Sequence, residues 1–214
     1  MKVIDLSLPV SSDMPGVDIS VARELERDGW NATTLNLYSH CGTHMDAPKH
    51  FLPDGASLDF LDLSVCLGPA TLINLAPADP AQLITVKDLG DQAESVSPGS
   101  RLLFRTDWYQ RYGTADYRDA LPRISMSLAE WLVEKRVALI GVEPPSVADV
   151  NNMQELTEVH QTLFRGDVRI VEGLAHLDQI TASSFDFIAL PLLIKNGDGC
   201  PVRAIAVEHD TPAS

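Results

Sequence analysis

One stretch constrains this chain more than any other. Residues 40–51 read H-C-G-T-H-M-D-A-P-K-H-F and hold three of the six histidines. His40, His44 and Asp46 supply two imidazoles and one hard carboxylate, the donor set of a borderline divalent ion. If the run is extended, positions 40, 42, 44 and 46 share one face, so all three donors converge and Gly42 leaves room between them. A helix would align His40 with His44 but turn Asp46 away. Leu35 and Leu37 alternate with Asn36 and Tyr38, which feeds a strand into the segment, so residues 33–46 are expected to form one strand carrying the ligands. Pro48 cannot donate to a ladder, so that strand should end near it and leave His50 on a loop beside the site. Cys41 would then point to the face opposite the ligands.

Length and charge narrow the classes. At 214 residues the chain is most simply one domain, 1–214, long enough for a substantial core. A net charge of −14 excludes the basic footprint of a nucleic-acid binder, leaving a small molecule as the expected partner. Cys41, Cys66 and Cys200 are odd in number and scattered, as reduced thiols in a cytoplasmic protein would be. Residues 1–10 lack the apolar core of a signal peptide, and no run approaches the ~20 apolar residues that span a bilayer. The expected setting is cytoplasmic, with no membrane partner.

Along the chain, short apolar strands outnumber helices. Strands are expected at residues 3–8, 69–75, 101–106, 137–142, 168–172, 185–193 and 202–207, the last two pairing across the Gly197–Gly199 turn. Residues 11–18 are turn chemistry, residues 21–30 fit a short helix or a strand, and residues 84–91 a short surface helix. Leu58, Phe60 and Leu61 read as core contacts. Ser127, with Glu130 three residues on and Leu128, Trp131 and Leu132 spaced apolar, reads as the cap of an amphipathic helix over residues 127–136. His160 falls on a second helix, over residues 157–164. Residues 107–122 concentrate aromatics and charges; they read first as rings packed over the core and second as a wall facing a substrate. His176 and His209 match no motif and are expected to be structural or exposed.

The run H-x-G-T-H-x-D-x-P-x-H resembles the signature of the metal-dependent cyclase family, which includes bacterial kynurenine formamidases (arylformamidases) and related lactam and amide hydrolases. Residues 143–146, E-P-P-S, are similar to that family's G-I-D-x-P-S segment, and Glu172-Gly173-Leu174 to its E-x-L. The likeness runs from the first strand to P-V-R-A at residues 201–204. It implies an α/β single domain of the swivelling β/β/α type, a mixed barrel-like sheet flanked by helices, assembled as a homodimer or larger homo-oligomer. It also implies a centre of two Zn²⁺ ions, or alternatively Mn²⁺. His40, His44 and Asp46 would hold one ion; His160 and Glu172, with Asp46 bridging, would hold the other. His50 would be the catalytic proton-transfer residue.

The implied chemistry is hydrolysis of a C–N amide bond, with N-formylkynurenine the leading substrate. Two departures, together with the Arg105-Thr106-Asp107-Trp108 segment, keep alternatives open. Met14 stands where the family usually has an aromatic residue, and Glu143 where it usually has aspartate. The alternatives are hydrolysis of a cyclic amide, imide or lactam, as in isatin hydrolases, and metal-dependent ligand binding without turnover. No G-x-S-x-G is present, so serine nucleophile chemistry has no support.

Overall fold

The computed structural model describes residues 1–209. Its first strands are β1 (Lys2–Asp5), β2 (Val17–Arg23), β3 (Ala32–Leu37) and β4 (His44–Asp46). The apolar runs then give β5 (Leu67–Asn74), β6 (Leu83–Ile84), β7 (Arg101–Arg105), β8 (Arg123–Ile124) and β9 (Leu139–Val142). β10 (Arg169–Glu172), β11 (Phe185–Pro191) and β12 (Gly199–Glu208) complete the set. The helices are α1 (Leu25–Asp28), α2 (Ala115–Asp119), α3 (Met126–Glu134) and α4 (Met153–Arg165).

β5, β7, β9 and β10 lie parallel, with α3 and α4 in the crossovers flanking β9. β11 joins β5 to β12 antiparallel, and β4 is antiparallel to β10. β12 is long enough to take two further partners: its residues 199–201 pair with β4, and its residues 205–208 with β1. The pairing with β4 closes a ring of seven strands, β12-β11-β5-β7-β9-β10-β4. The expected mixed, barrel-like sheet is therefore present.

Alternation sorts the strand residues between two cores. Leu103, Leu139, Val171, Phe187, Ala204 and Met45 fill the barrel interior. Leu102, Phe104, Ile140 and Ile170 point outward and pack with Leu128, Leu132, Leu163 and Phe164 of α3 and α4. Strands buried on both faces explain why these segments read as unbroken apolar runs.

Several local expectations need correction. The segment 33–46 is two strands, β3 and β4, separated by a turn. Residues 21–30 divide between the end of β2 and the single turn α1. Residues 84–91 begin as strand β6 and continue into a 3-10 segment kinked at Gly90, not a regular surface helix. The cap of α3 is Ser125, whose hydroxyl accepts from Leu128 N at 3.1 Å. Its own N–H donates to Ile84 O at 2.8 Å, which holds Ser125 extended and starts the helix at Met126 rather than after Ser127. Phe60 is exposed: it lies on a single 3-10 turn whose side chains diverge, and there only Leu58 is buried.

Candidate active site

The site is assembled on the short strand β4. Met45 enters the barrel interior, so alternation turns His44 and Asp46 to the opposite face. His40 reaches them by a different route from the one its spacing suggests. β3 ends at Leu37, and His40 lies in the turn of residues 38–43 that separates it from β4, a turn in which Gly42 adopts a left-handed φ of +60. The His40 ring then lies against the backbone of β12 at Gly199, where any Cβ would collide with its Cε1. Gly199 pairs with Asp46 in the ladder, so the glycine admits the imidazole beside its carboxylate partner. On the second flank, Glu172 of β10 faces His44 directly across the ladder.

The six residues singled out in the sequence come together. His40 Nδ1 lies 2.7 Å from Asp46 Oδ1, and His44 Nε2 lies 3.5 Å from the same oxygen. His44 Nε2 is 3.2 Å from Glu172 Oε2. His160 Nε2, delivered from the buried face of α4, is 3.4 Å from Glu172 Oε1 and 3.7 Å from Asp46 Oδ2. His50 ends a 3-10 turn opened by Pro48, and its ring stacks on His40 at 3.8 Å between centroids. Geometrically it could join His40 and Asp46 as a ligand as readily as move a proton beside them.

Two features fit this cluster to a cation. His44 and His160 each turn Nδ1 to a backbone carbonyl, Gly42 O at 2.9 Å and Leu156 O at 2.7 Å, leaving Nε2 aimed at the carboxylates. That outer bond is how proteins fix a metal-ligating imidazole. Asp46 Oδ2 is buried without a hydrogen-bond partner, a state costing about 1–3 kcal/mol if nothing fills it. The electrostatics agree. Burial opposes charging of His44, yet its bond to Glu172 and the charges of Asp46 and Glu172 carry it up to about 9. Burial would raise the Glu172 carboxyl, but hydrogen bonds from His160 and His44 hold it well below the usual range. The carboxylates demand positive charge at this point. His50 is different: burial pushes its imidazole below the ordinary value, against the pull of Asp46.

The cluster floors a cavity of about 430 Å³ whose walls are mainly apolar, among them Leu8, Met14, Phe51, Tyr112, Tyr117 and Leu156. Cys41 lines this cavity too, contrary to its expected place on the far face, because the turn at Gly42 removes the strand geometry that would have sent it there. The segment 107–122 combines both roles considered for it. Trp108 is core, while Tyr112, Tyr117 and Arg118 face the cavity.

Sequence reading missed Asp198, whose Oδ2 lies 3.3 Å from His40 Nε2 and 4.0 Å from His50 Nδ1. Its signal was a lone acid in the N-G-D-G turn just before β12, indistinguishable from ordinary turn chemistry. His209 is exposed and bonds Asp186; His176 is half-buried against Tyr109, and neither lines the cavity.

Barrel, pocket and buried donor cluster together define a hydrolase of the metal-dependent kind. The chain belongs to the cyclase family, whose model matches residues 4–149. It is 35% identical over 211 residues to a kynurenine formamidase of Bacillus cereus, covering 94% of this chain and 95% of that one. To the kynurenine formamidase of Bacillus cytotoxicus it is 36% identical over 211 residues, with the same coverage. Among solved structures it is similar to isatin hydrolase A from Ralstonia solanacearum, with a TM-score of 0.87 and 26% identity, covering 97% of this chain and 92% of that one. An isatin hydrolase bound to the product analogue thioisatinate gives a TM-score of 0.85 at 26% identity, over 98% and 93% of the two chains.

Proposed function

We propose that this chain hydrolyses the formamide bond of N-formylkynurenine, giving kynurenine and formate. The observation that carries the reading is the convergence of His40, His44, Asp46, His160 and Glu172 beneath an aromatic-walled cavity, with His50 at its edge. Kynurenine formamidase relatives that match over nearly the whole chain support the substrate.

The five side chains would hold two divalent ions, zinc or alternatively manganese; their mixed nitrogen and oxygen donors suit either. A divalent ion there would supply water acidified to a pKa of about 7 and Lewis acidity toward a carbonyl. The chain's own residues do the rest. Phe51, Tyr112 and Tyr117 hold the aryl ring and keep bulk water from it. His50, neutral by burial, takes a proton from the attacking water and returns it to the aniline nitrogen as the C–N bond breaks. The acyl carbon, with its new C–O bond, leaves as formate. Asp198, near both His40 and His50, steadies the two rings.

A homodimer or larger homo-oligomer belongs to this reading. The β2–β3 hairpin and its connections expose Val21, Leu25, Trp30 and Leu35, more apolar surface in one place than scattered residues would give. So does a cytoplasmic setting, supported by three unpaired cysteines. No helix among the described residues is long and apolar enough to cross a membrane.

Opening of a cyclic amide is the second reading, favoured by the isatin hydrolase likeness and by Met14 at the cavity wall in place of an aromatic residue. Incubating the metal-supplied protein with N-formylkynurenine and with isatin, each followed by absorbance, separates the two. Faster turnover of N-formylkynurenine is expected. Preference for isatin would select the second reading, and turnover of neither would leave a binding protein.

A further inference from the structure

The cavity wall holds a charge that amide chemistry alone does not explain. Among the residues lining it, Arg118 is the only lysine or arginine. It projects from α2, inside the aromatic segment that also supplies Tyr112 and Tyr117. Its Nη1 donates to Asp119 Oδ1 at 2.6 Å and to Asn151 Oδ1 at 3.2 Å, and Asn151 Nδ2 donates to Asp119 Oδ1 at 3.4 Å. This triangle tethers the guanidinium from one end. Nε and Nη2 have no partner among the described residues, so a second pair of parallel donors is left for a ligand.

Parallel guanidinium donors match a carboxylate in two-point contact. The surroundings make such a contact informative. The chain carries a net charge of −14, so an anionic ligand is repelled in general and needs a local cation to enter. The imidazoles at the floor are committed to Asp46 and Glu172. Arg118 is itself ion-paired with Asp119 through Nη1, but unlike those imidazoles it keeps two donors, Nε and Nη2, open to a ligand.

We propose that Arg118 is the specificity-determining residue that receives the carboxylate of an amino-acid side chain on the substrate. This rests on the formamidase reading of the same cavity and deepens it. N-formylkynurenine carries that carboxylate at the end of a short chain ortho to the formamide. With the ring between Tyr112, Tyr117 and Phe51, the formyl group points to the floor and the carboxylate to the rim. Isatin and simple formanilides carry no carboxylate for Arg118 to bind in two-point contact.

The test compares kcat/KM for N-formylkynurenine with kcat/KM for 2-formamidoacetophenone, which keeps the aryl formamide and ketone but lacks the amino-acid carboxylate. In Arg118→Gln the ratio of the two should fall about 10- to 100-fold, as a lost charged hydrogen-bond pair does, with the change mainly in KM. Arg118→Lys should recover part of it, since a point charge replaces the fork. An unchanged ratio, whether both substrates slow equally or neither does, would overturn the proposal while leaving the formamidase reading intact. Wild-type protein that opened isatin but cleaved neither formamide would overturn the formamidase reading, and Arg118's role with it.

Discussion

His50 sits where two roles meet. It stacks on His40, lies 4.0 Å from Asp198, and is close enough to His40 and Asp46 to share an ion with them. A proton carrier and a ligand respond differently to truncation. His50→Ala is expected to lower kcat by about 10²- to 10⁴-fold while bound metal, measured by elemental analysis, stays at the wild-type level. Loss of metal along with activity would make His50 a ligand, and an unchanged rate would remove its acid–base role. The donor types at residues 40–51 were legible because no ordinary core needs that many imidazoles so close to a carboxylate. His160 and Glu172 were not legible from spacing, since α4 and β10 are brought together only by the sheet. Asp198 was legible only as ordinary turn chemistry, and Arg118 only as one charge within the aromatic segment 107–122; each is a common surface type whose meaning comes from what folds beside it.

Glu143 ties two elements together at the end of β9. Its Oε2 accepts from Thr106 N and Oγ1, both at 2.8 Å, and from Trp108 N at 3.0 Å, while its backbone carbonyl accepts from Tyr117 OH at 3.0 Å. The aromatic wall therefore hangs on this residue. Burial, against those three hydrogen bonds and helped by the charge of Asp107, raises its carboxyl from 4.5 to about 7. A folded-state value above the unfolded one means that the folded chain holds the proton more tightly. That contribution favours folding fully below about pH 4.5 and is lost as pH rises to about 7. Melting curves of wild type and Glu143→Gln should therefore diverge over that window, with the variant gaining relative stability as pH rises; a constant difference would show that the carboxyl titrates normally. At this scale the sequence was informative where a strand is buried on both faces, as in β7 and β9. It misled where a turn changed the backbone. The turn of residues 38–43, with its positive φ at Gly42, splits the presumed ligand strand into β3 and a three-residue β4, yet the donors still converge because β12 offers Gly199 to the His40 ring.

The donors are distributed around the molecule: β4 carries His44 and Asp46, β10 carries Glu172, and α4 carries His160. An ion held among them binds the folded chain and not the unfolded one. At a free metal concentration 100 times Kd the gain is about 2.7 kcal/mol, roughly 5–10 °C in Tm for a chain of this size. Zinc or manganese should raise Tm by that order, a chelator should reverse it, and Asp46→Asn should abolish the response; no shift with either metal would count against the centre. The barrel itself was only partly foreseeable. The runs that became strands were visible, but closure depends on β12 having length to spare beyond β11, which no local pattern announces.

That closure has a consequence for how the protein is made. β4 has β10 on one side and the first residues of β12 on the other, so the motif emerges early from the ribosome while its last neighbour is translated more than 150 residues later. Until then His40 lacks the backbone of Gly199 that it rests against. An ion held among these donors would find its full cradle only once β12 is in place, since an unfinished nascent chain has the imidazoles but not the Gly199 backbone beside them.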